Sequence, residues 1–348
     1  MAPPPKPDVP TLDLPAGWAV RVPVAGDVDP LVRLVQRRRE RVRGKASPVD
    51  LETVASEVTG TGSWTRDQVV VVDESGTVRA WASVHDRAAG RTNIDLTVCP
   101  DLPAAQQDSL ATGLLEWIVA TARYVGAQRF VEHTQLDATV YEGDAQLAAW
   151  YASVGLRHTR TWLQMTRPTA PGDADLPQPR EGVHVRRVAT HETGMPVAED
   201  LRAVHQVLEE SFEDHFNSYR ESFAEFAQRL REDPGHRWDH WWLATVDTDA
   251  GPVLGGGVVS SVLPPDASGR PGSYIDYIGV HRRARGRGVA KALLFTVLRD
   301  AAERGRGRVG LEVDADSPTG ADGLYTSLGW VTDYRTQSWQ RDIAVSPG

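Results

Sequence analysis

A run of arginines and glycines at residues 285–290 has the composition best suited to binding a ligand. The run reads Arg-Gly-Arg-Gly-Val-Ala and directly follows an apolar stretch at residues 274–280. Apolar residues then recur three and four positions apart, which predicts a helix that begins near Val289. Glycines let backbone amides approach a ligand closely, and a helix N-terminus adds partial positive charge. The pattern therefore predicts a site for a phosphate or pyrophosphate group.

The spacing of this run differs from that of the best-known phosphate-binding motifs. No Gly-Lys-Ser/Thr follows it, and its R-x-x-G-x-A spacing is not G-x-G-x-x-G. The spacing resembles the acetyl-CoA loop of the GNAT acetyltransferase family, whose pattern Q/R-x-x-G-x-G/A falls on Arg285, Gly288 and Ala290. The preceding Val280–Ala284 is similar to the family's V-x-P-x-x-R-G lead-in, with Arg282 where proline is usual. A surface turn that only caps a helix is the alternative interpretation.

The resemblance implies where acetyl-CoA would bind. It sets the pyrophosphate against backbone amides around Arg285, Gly286, Arg287, Gly288, Val289 and Ala290. In the family the preceding strand splays from its neighbour and hydrogen-bonds the pantetheine arm, which here falls on Ile278, Gly279 and Val280. An amide there would also polarise the thioester carbonyl and stabilise the oxyanion of the tetrahedral intermediate. Ser317 stands near the place of an asparagine that the family often has before its last helix.

A second motif, Leu-Tyr-Thr-Ser-Leu-Gly-Trp at residues 324–330, is similar to the family's LYxxLGF. In that motif the tyrosine hydroxyl protonates the departing CoA thiolate, a role that falls on Tyr325. A core aromatic with a satisfied hydroxyl is the alternative. An amine nucleophile must also lose a proton, and the candidate bases are Asp276 and Glu312 in two predicted strands. By period-2 alternation Asp276 should share a face with Ile278, and both carboxylates could instead be solvated strand residues.

An acidic segment follows the first helix of the second half, in the region that covers the acceptor site in the family. Its candidate substrate-binding residues are Glu213, Asp214 and His215, whose carboxylates would bind a cationic amine. A similar A-F-x-D-H-W-G stretch occurs in mycothiol synthases, which are also tandem GNAT proteins. Here Phe216-Asn217 replaces the Trp-Gly pair. Acetylation of a cysteinyl thiol-cofactor precursor therefore remains an alternative.

The chain reads as two diverged copies of one domain. Four prolines and no apolar periodicity mark residues 168–182 as a linker. The same order of strands and helices lies on both sides of it, including a strand predicted at residues 129–133 that corresponds to one at residues 309–313. We expect a disordered Pro-rich tail at 1–16, a first domain at 17–167 and a second domain at 183–348. The predicted fold class is mixed α/β, with each GNAT-like domain a largely antiparallel mixed sheet flanked by helices.

The first copy lacks the Arg/Gly loop. Residues 102–108 occupy its place and contain neither glycine nor a basic residue, although Tyr151 is retained in a WYASVGL motif. Pyrophosphate binding there should be poor. We therefore expect a degenerate first domain that braces the second, catalytic one or shapes its acceptor cleft, with a retained but non-catalytic acyl-CoA site as the alternative.

Composition limits the remaining function classes. The 348 residues carry a net charge of −9, which argues against non-specific nucleic-acid binding. No apolar run approaches the ~20 residues that span a bilayer, and the N-terminus resembles no secretory signal. The single cysteine excludes an intrachain disulfide and fits a cytoplasmic location. His236 and His240 are four apart, but a loop entering a strand is predicted there, so no metal site is expected.

The sequence thus predicts an acetyl-CoA-dependent N-acetyltransferase. Its acceptor would be a primary amine, of a small molecule first and of a protein as the alternative. A non-catalytic acyl-CoA sensor or scaffold is a second alternative, because it would share the loop without needing Tyr325. Tandem domains can supply the pairing that single domains obtain by dimerising, so a monomer is expected.

Overall fold

The computed structural model of the chain describes residues 5–88, 90–211, 221–317 and 320–345. It divides into two compact units. Unit 1 comprises Met1–Trp162, Arg231–Pro234 and Tyr334–Gly348, and unit 2 comprises Leu163–Leu230 and Gly235–Asp333. These units do not coincide with the segments 17–167 and 183–348: residues 231–234 and most of the last strand are counted with unit 1, and residues 163–167 with unit 2. The different roles expected of the two segments remain predictions.

Unit 1 is a mixed sheet with helices packed on it. Its elements are β1 (Ala19–Arg21), α1 (Val28–Arg43), α2 (Leu51–Val58), β2 (Arg66–Val72), β3 (Val78–Ala88), β4 (Arg91–Val98), α3 (Ala104–Gln128), β5 (His133–Tyr141), α4 (Ala145–Ser153), the first part of β6 (Arg157–Pro168) and most of β12 (Val331–Ala344). The strand order is β1-β2-β3-β4-β5-β12-β6. Strands β1 to β4 are antiparallel, β4 and β5 are parallel, and β5 and β12 are antiparallel.

The alternation of side chains along β4 explains why helices pack on both faces of the unit 1 sheet. Ile94, Leu96 and Val98 point into a core cluster that α3 covers. The residues between them point to the opposite face, as period-2 geometry requires. On that face a second cluster joins Trp81 and strand valines to Leu31 and Leu34 of α1 and to residues of α2.

Unit 2 repeats this plan. Its elements are the second part of β6, β7 (Val183–Arg187), α5 (Ala198–Ser211), α6 (Phe223–Glu232), β8 (His236–Thr248), β9 (Gly251–Leu263), β10 (Gly272–Val280), α7 (Val289–Glu303), β11 (Arg308–Asp314) and α8 (Ala321–Ser327). Helix α6 is counted with unit 2 as far as Leu230. The strand order is β6-β11-β10-β9-β8-β7. Strands β7 to β10 are antiparallel, whereas β10 and β11 are parallel.

Helices cover both faces of the unit 2 sheet. Leu293 and Val297 of α7 share a cluster with Ile275 and Leu311, whereas α5 and α6 cover a cluster on the other face around Trp241. The predicted mixed α/β fold is therefore confirmed. Among the described residues, no helix is both long and apolar enough to cross a membrane.

Several local predictions need correction. The strand predicted at 129–133 is wrong: α3 extends to Gln128, Phe130 turns the chain with φ 56°, and the strand begins only at His133. The helices α2 and α6 and the strands β6 and β12 were not anticipated. Part of the tail expected to be disordered, Leu12 with Leu14, packs against the unit 1 core.

Candidate active site

A gap between two parallel strands opens the unit 2 sheet. Strands β10 and β11 are in register only over Ser273–Ile275 and Val309–Leu311. Strand β10 nevertheless continues to Val280 in register with β9 on its other side. Over its last residues, β10 thus has a described strand partner on one edge only. Its backbone groups on the other edge are available to an extended ligand, as the splayed strand of the resemblance requires.

The Arg/Gly loop continues directly from that open edge. A 3-10 turn at Arg282–Ala284 leads to Gly286 and Gly288, which have φ values of +77° and +87°. This left-handed conformation costs glycine little. Helix α7 then begins at Val289. Its N-cap residue is Gly288, so no side chain caps the helix.

The first amides of α7 remain free. Among the described backbone hydrogen bonds, Ala292 N–H is the first in the helix to find an acceptor, Gly288 O at 3.0 Å. The amides of Val289, Ala290 and Lys291 therefore match the orphan donors of a helix N-terminus. Together with the helix dipole they have the geometry and charge that suit an anionic group.

Arginine side chains surround this helix start. The Cδ of Arg180 lies 3.3 Å from the position that a Cβ on Gly288 would occupy. Arg287 Nη2 donates to the carbonyl of Asp247 at 2.8 Å. Arg180 belongs to the segment predicted as a linker, so sequence spacing gave no reason to place it beside the loop. It adds positive charge where the free amides point outward.

Gly279 is needed for close packing rather than for a turn. A Cβ there would lie 2.9 Å from Ser211 Cβ and 3.0 Å from Leu208 Cδ2, both on α5. Such distances are shorter than real carbon contacts allow. Helix α5 therefore approaches Gly279 closely, at a strand glycine that was predicted to lie against the pantetheine arm.

Tyr325 is buried with an unused hydroxyl. Only 7% of the residue is exposed, and its ring packs edge-on against Trp330, with centroids 6.1 Å apart. Its hydroxyl makes no hydrogen bond to any described residue. Burial raises the pKa of Tyr325 to about 12, so the phenol keeps its proton at neutral pH.

The tyrosine of unit 1 has a different environment. Tyr151 is 1% exposed, and its hydroxyl is hydrogen-bonded by the backbone of Leu96. Burial raises its pKa even further. Tyr151 thus joins α4 to β4, whereas the Tyr325 hydroxyl has no hydrogen-bond partner among the described residues.

The two candidate bases differ in their surroundings. Glu312 keeps solvent-accessible surface on β11 and accepts a hydrogen bond from Gln164 Nε2 at 2.8 Å. Desolvation raises the pKa of Glu312, and the bond from Gln164 opposes that shift. Asp276 accepts a hydrogen bond from Ser261 Oγ at 3.2 Å.

A β-bulge overturns the expected orientation of Asp276. The register with β9 shifts between Ile275 and Tyr277, so alternation does not carry across Asp276. Ile278 packs with the α7 cluster, whereas Tyr277 packs with the cluster under α5 and α6. Asp276 acts electrostatically on Arg229 of α6 and does not share a face with Ile278.

Comparison with known proteins agrees with this geometry. Residues 201–330, which contain the splayed strands, the loop and Tyr325, match the family model of the acetyltransferase (GNAT) family. Residues 201–330 therefore form a domain that is similar to the GNAT acetyltransferases. A search of curated proteins found no match. The GNAT fold binds acetyl-CoA, and the open strand edge and α7 N-terminus are the parts of this chain that fit it.

Solved structures share the fold of nearly the whole chain. A GCN5-related N-acetyltransferase from Sphaerobacter thermophilus is 24% identical with a TM-score of 0.70, covering 97% of this chain and 98% of that one. A tandem GNAT protein from the clavulanic acid biosynthesis pathway is 18% identical with a TM-score of 0.63, covering 95% and 99%. Saccharomyces cerevisiae N-myristoyltransferase with bound myristoyl-CoA is 12% identical with a TM-score of 0.59, covering 99% and 84%.

The corresponding loop of unit 1 differs in charge. Helix α3 begins after Pro103, and the Gln107 side chain donates to the carbonyl of Leu102 at 2.6 Å. Asp108 in the same turn accepts a hydrogen bond from Trp150 Nε1 at 2.8 Å. The first turn of α3 contains no acidic residue, so the loop of unit 1 differs from that of unit 2 in lacking basic residues and glycine.

Four further residues were predicted to belong to the site. Glu213, Asp214 and His215 lie outside the described residues. Ser317 lies in the turn between β11 and α8, where its amide donates to Asp314 O at 3.1 Å. The described residues contain no group of three or more His, Cys, Asp or Glu side chains that could hold a metal ion.

Proposed function

We propose that the chain is an acetyl-CoA-dependent N-acetyltransferase that acts on a primary amine, with transfer in unit 2. The observation that carries the proposal is the continuous path from the open edge of β10 to the free amides of α7. If the pantetheine arm of acetyl-CoA lay extended along that edge, the pyrophosphate of acetyl-CoA would reach the start of α7. Arg180 beside Gly288 adds a counter-charge at the same end.

The residues around the opening suit direct transfer. The amine nitrogen would attack the thioester carbonyl carbon, and backbone amides of β10 would stabilise the resulting oxyanion. The C–S bond would then break, and Tyr325 would give its proton to the CoA sulfur. The proton lost by the amine would pass to Glu312, directly or through water. The raised pKa of Glu312 makes it a better proton acceptor than an ordinary glutamate.

Glu312 is the better-supported base of the two carboxylates. It is accessible on β11, the strand across the opening from β10. Asp276 is held by Ser261 and lies at the bulge before the splayed part of β10. We therefore assign proton acceptance to Glu312 and a positioning role to Asp276.

A matched pair of tyrosine variants tests the proposal. Tyr325→Phe should lower kcat by roughly 10²-fold, since it removes a general acid, and leave acetyl-CoA affinity unchanged. Tyr151→Phe removes the corresponding hydroxyl of unit 1 and should leave kcat within about twofold while lowering stability by about 1 kcal/mol. The measurements are release of free CoA thiol against a panel of amines and calorimetric titration with acetyl-CoA.

The alternatives give different results in the same experiment. An acyl-CoA sensor would bind acetyl-CoA but release CoA with no amine in the panel. A cysteinyl thiol-cofactor precursor, included in the panel, would identify mycothiol-type acetylation. Equal loss of kcat in both tyrosine variants would contradict transfer in unit 2.

A further inference from the structure

One side of α7 is covered by residues 169–182, which lie within the segment predicted as a linker and which we call the strap. Its 3-10 turn at Pro171–Asp175 lies against α7. Leu176 then packs against the apolar cluster that contains Leu293 and Val297 of α7. All of these residues belong to unit 2. The strap therefore packs as part of that unit, and its last residues reach the Arg/Gly loop.

A buried carboxylate holds the first turn of the strap. Asp173 is 4% exposed and accepts hydrogen bonds from both terminal nitrogens of Arg167, at 2.7 and 2.8 Å, and from the amide of Ala170 at 2.8 Å. Arg167 lowers the pKa of Asp173, so the pair stays charged at neutral pH. Arg167 Nε also donates to Leu328 O at 2.7 Å. Leu328 directly follows helix α8, so the strap begins beside the helix that carries Tyr325.

Arg299 of α7 holds the middle of the strap. Its Nη1 donates to the carbonyls of Pro177 at 2.8 Å and of Leu176 at 3.2 Å, and its Nη2 donates to Thr296 Oγ1 at 3.0 Å. Among the described residues, no other hydrogen bond joins residues 174–179 to the rest of unit 2. Hydrogen bonds from a charged donor are stronger than those between neutral groups. Removal of Arg299 would therefore release this part of the strap from α7.

The last part of the strap places Arg180 at the Arg/Gly loop. Asp247 joins the two segments, because its amide donates to Gly182 O at 2.9 Å and its carbonyl accepts from Arg287 at 2.8 Å. The side chain of Arg180 lies against Gly288, with Cδ 3.3 Å and Nε 3.6 Å from the position of a Cβ there. Arg180 is exposed, and its guanidinium makes no hydrogen bond or ion pair with a described residue. This cation is therefore available to an anionic ligand at the start of α7.

Arg299 is too far from the start of α7 to act on a phosphate group directly. At 1.5 Å rise per residue, it lies about 14 Å along the helix axis from Ala290. Surface charges that far apart are largely screened at physiological ionic strength, where the Debye length is about 8 Å. An effect of Arg299 on acetyl-CoA binding would therefore have to pass through the strap.

We propose that Arg299 is a positioning residue for acetyl-CoA, because it holds the strap and so keeps Arg180 beside the pyrophosphate at the start of α7. The inference rests on the proposed function, which supplies acetyl-CoA as the ligand. An arginine that is already held at its site loses less conformational freedom on binding an anion than one on a loose segment. The cofactor site would thus include a cation that the R-x-x-G-x-A pattern does not contain.

A double-mutant cycle tests the proposal in calorimetric titrations of the full chain with acetyl-CoA. Arg180→Ala and Arg299→Ala should each weaken binding by about 3- to 10-fold, as expected for an exposed cation beside a phosphate. The double variant should bind within about twofold of Arg180→Ala, since Arg299 then has no cation to position. Arg304→Ala is the matched control. Arg304 lies at the C-terminal end of the same helix and pairs with Asp300 and Asp239, not with the strap, so its loss should leave the affinity unchanged.

Amide hydrogen exchange detects release of the strap without any ligand. The amides of Leu176 and Val183 donate to Asp173 O at 3.3 Å and to Arg180 O at 3.0 Å. Both amides should exchange faster in Arg299→Ala than in the wild type, because local opening of the strap becomes easier. A general loss of stability would instead speed exchange throughout α7 and lower Tm in thermal unfolding.

Four results would overturn the proposal. These are equal acetyl-CoA affinity in wild type and Arg299→Ala, losses that multiply in the double variant, an equal loss in Arg304→Ala, and unchanged exchange of the strap amides in Arg299→Ala. Absence of acetyl-CoA binding by the wild type would refute the proposed function and this inference with it. Failure of the inference alone would leave binding by the wild type intact, so the two failures are distinguishable.

Discussion

Replacing Gly288 by alanine tests whether the loop conformation, rather than the helix itself, binds acetyl-CoA. Gly288 has φ +87°, and a non-glycine residue in this left-handed region costs roughly 1–2 kcal/mol. The new Cβ would also lie 3.3 Å from Arg180 Cδ, so that side chain must move by a few tenths of an ångström. Relief of either strain would rotate the first amides of α7 away from the ligand.

Gly305 provides a matched control at the other end of the same helix. It has φ +67°, and a Cβ there would meet no atom within 4 Å. Both alanine variants should lower the free energy of unfolding by roughly 1–2 kcal/mol, which shifts Tm by about 2–8 °C for a unit of this size. Only Gly288→Ala should also weaken acetyl-CoA binding, by about tenfold or more.

Calorimetric titration with acetyl-CoA and thermal unfolding of both variants make the comparison. Equal acetyl-CoA affinity in the two variants would refute the assignment of the α7 N-terminus as the pyrophosphate site. Loss of affinity in both would mean that helix stability, and not the loop, controls binding.

Three further changes test the neighbouring residues of unit 2. Arg180→Ala should weaken acetyl-CoA binding by about 3- to 10-fold in calorimetry, more at low salt, because it removes a cation beside the helix start. Glu312→Gln should lower kcat and abolish the rise of kcat/KM as pH increases through the raised pKa of Glu312. Gly279→Ala should cost about 1–3 kcal/mol in urea unfolding, since its methyl would meet α5 at 2.9 Å.

Each of these predictions has a contradicting result. An unchanged affinity at all salt concentrations would remove Arg180 from the cofactor site. A pH profile that survives in Glu312→Gln would transfer the proton-accepting role to another group. A Gly279→Ala variant as stable as wild type would mean that α5 can move away from β10 at no cost.

Local patterns were enough to predict the loop and the tyrosine motif. Gly286 and Gly288 take positive φ values, a conformation favoured by glycine, and α7 begins at Val289 as the apolar spacing indicated. Tyr325 lies on a short helix followed by a glycine turn. These features depend on neighbouring residues in the chain, so a sequence pattern can specify them.

Non-local features escaped the same reasoning. The bulge at Asp276 arises from the register with β9, which alternation within one strand cannot reveal. The strand predicted at 129–133 begins only at His133, because α3 continues to Gln128 and the chain turns at Phe130 before the strand starts. Arg180, in a segment without periodicity, reaches Gly288 only through the fold.

The sequence by itself determined the family, the mixed α/β class and the positions of the loop and Tyr325. Tertiary structure alone decided how far each parallel strand pair stays in register, and therefore where each sheet opens. It also decided which charges are paired: Glu232 accepts hydrogen bonds from Thr65 and Arg66, and Arg66 also lies 3.6 Å from Glu57. The physical reason is that pairing and desolvation depend on distances between residues far apart in the chain, which local spacing does not encode.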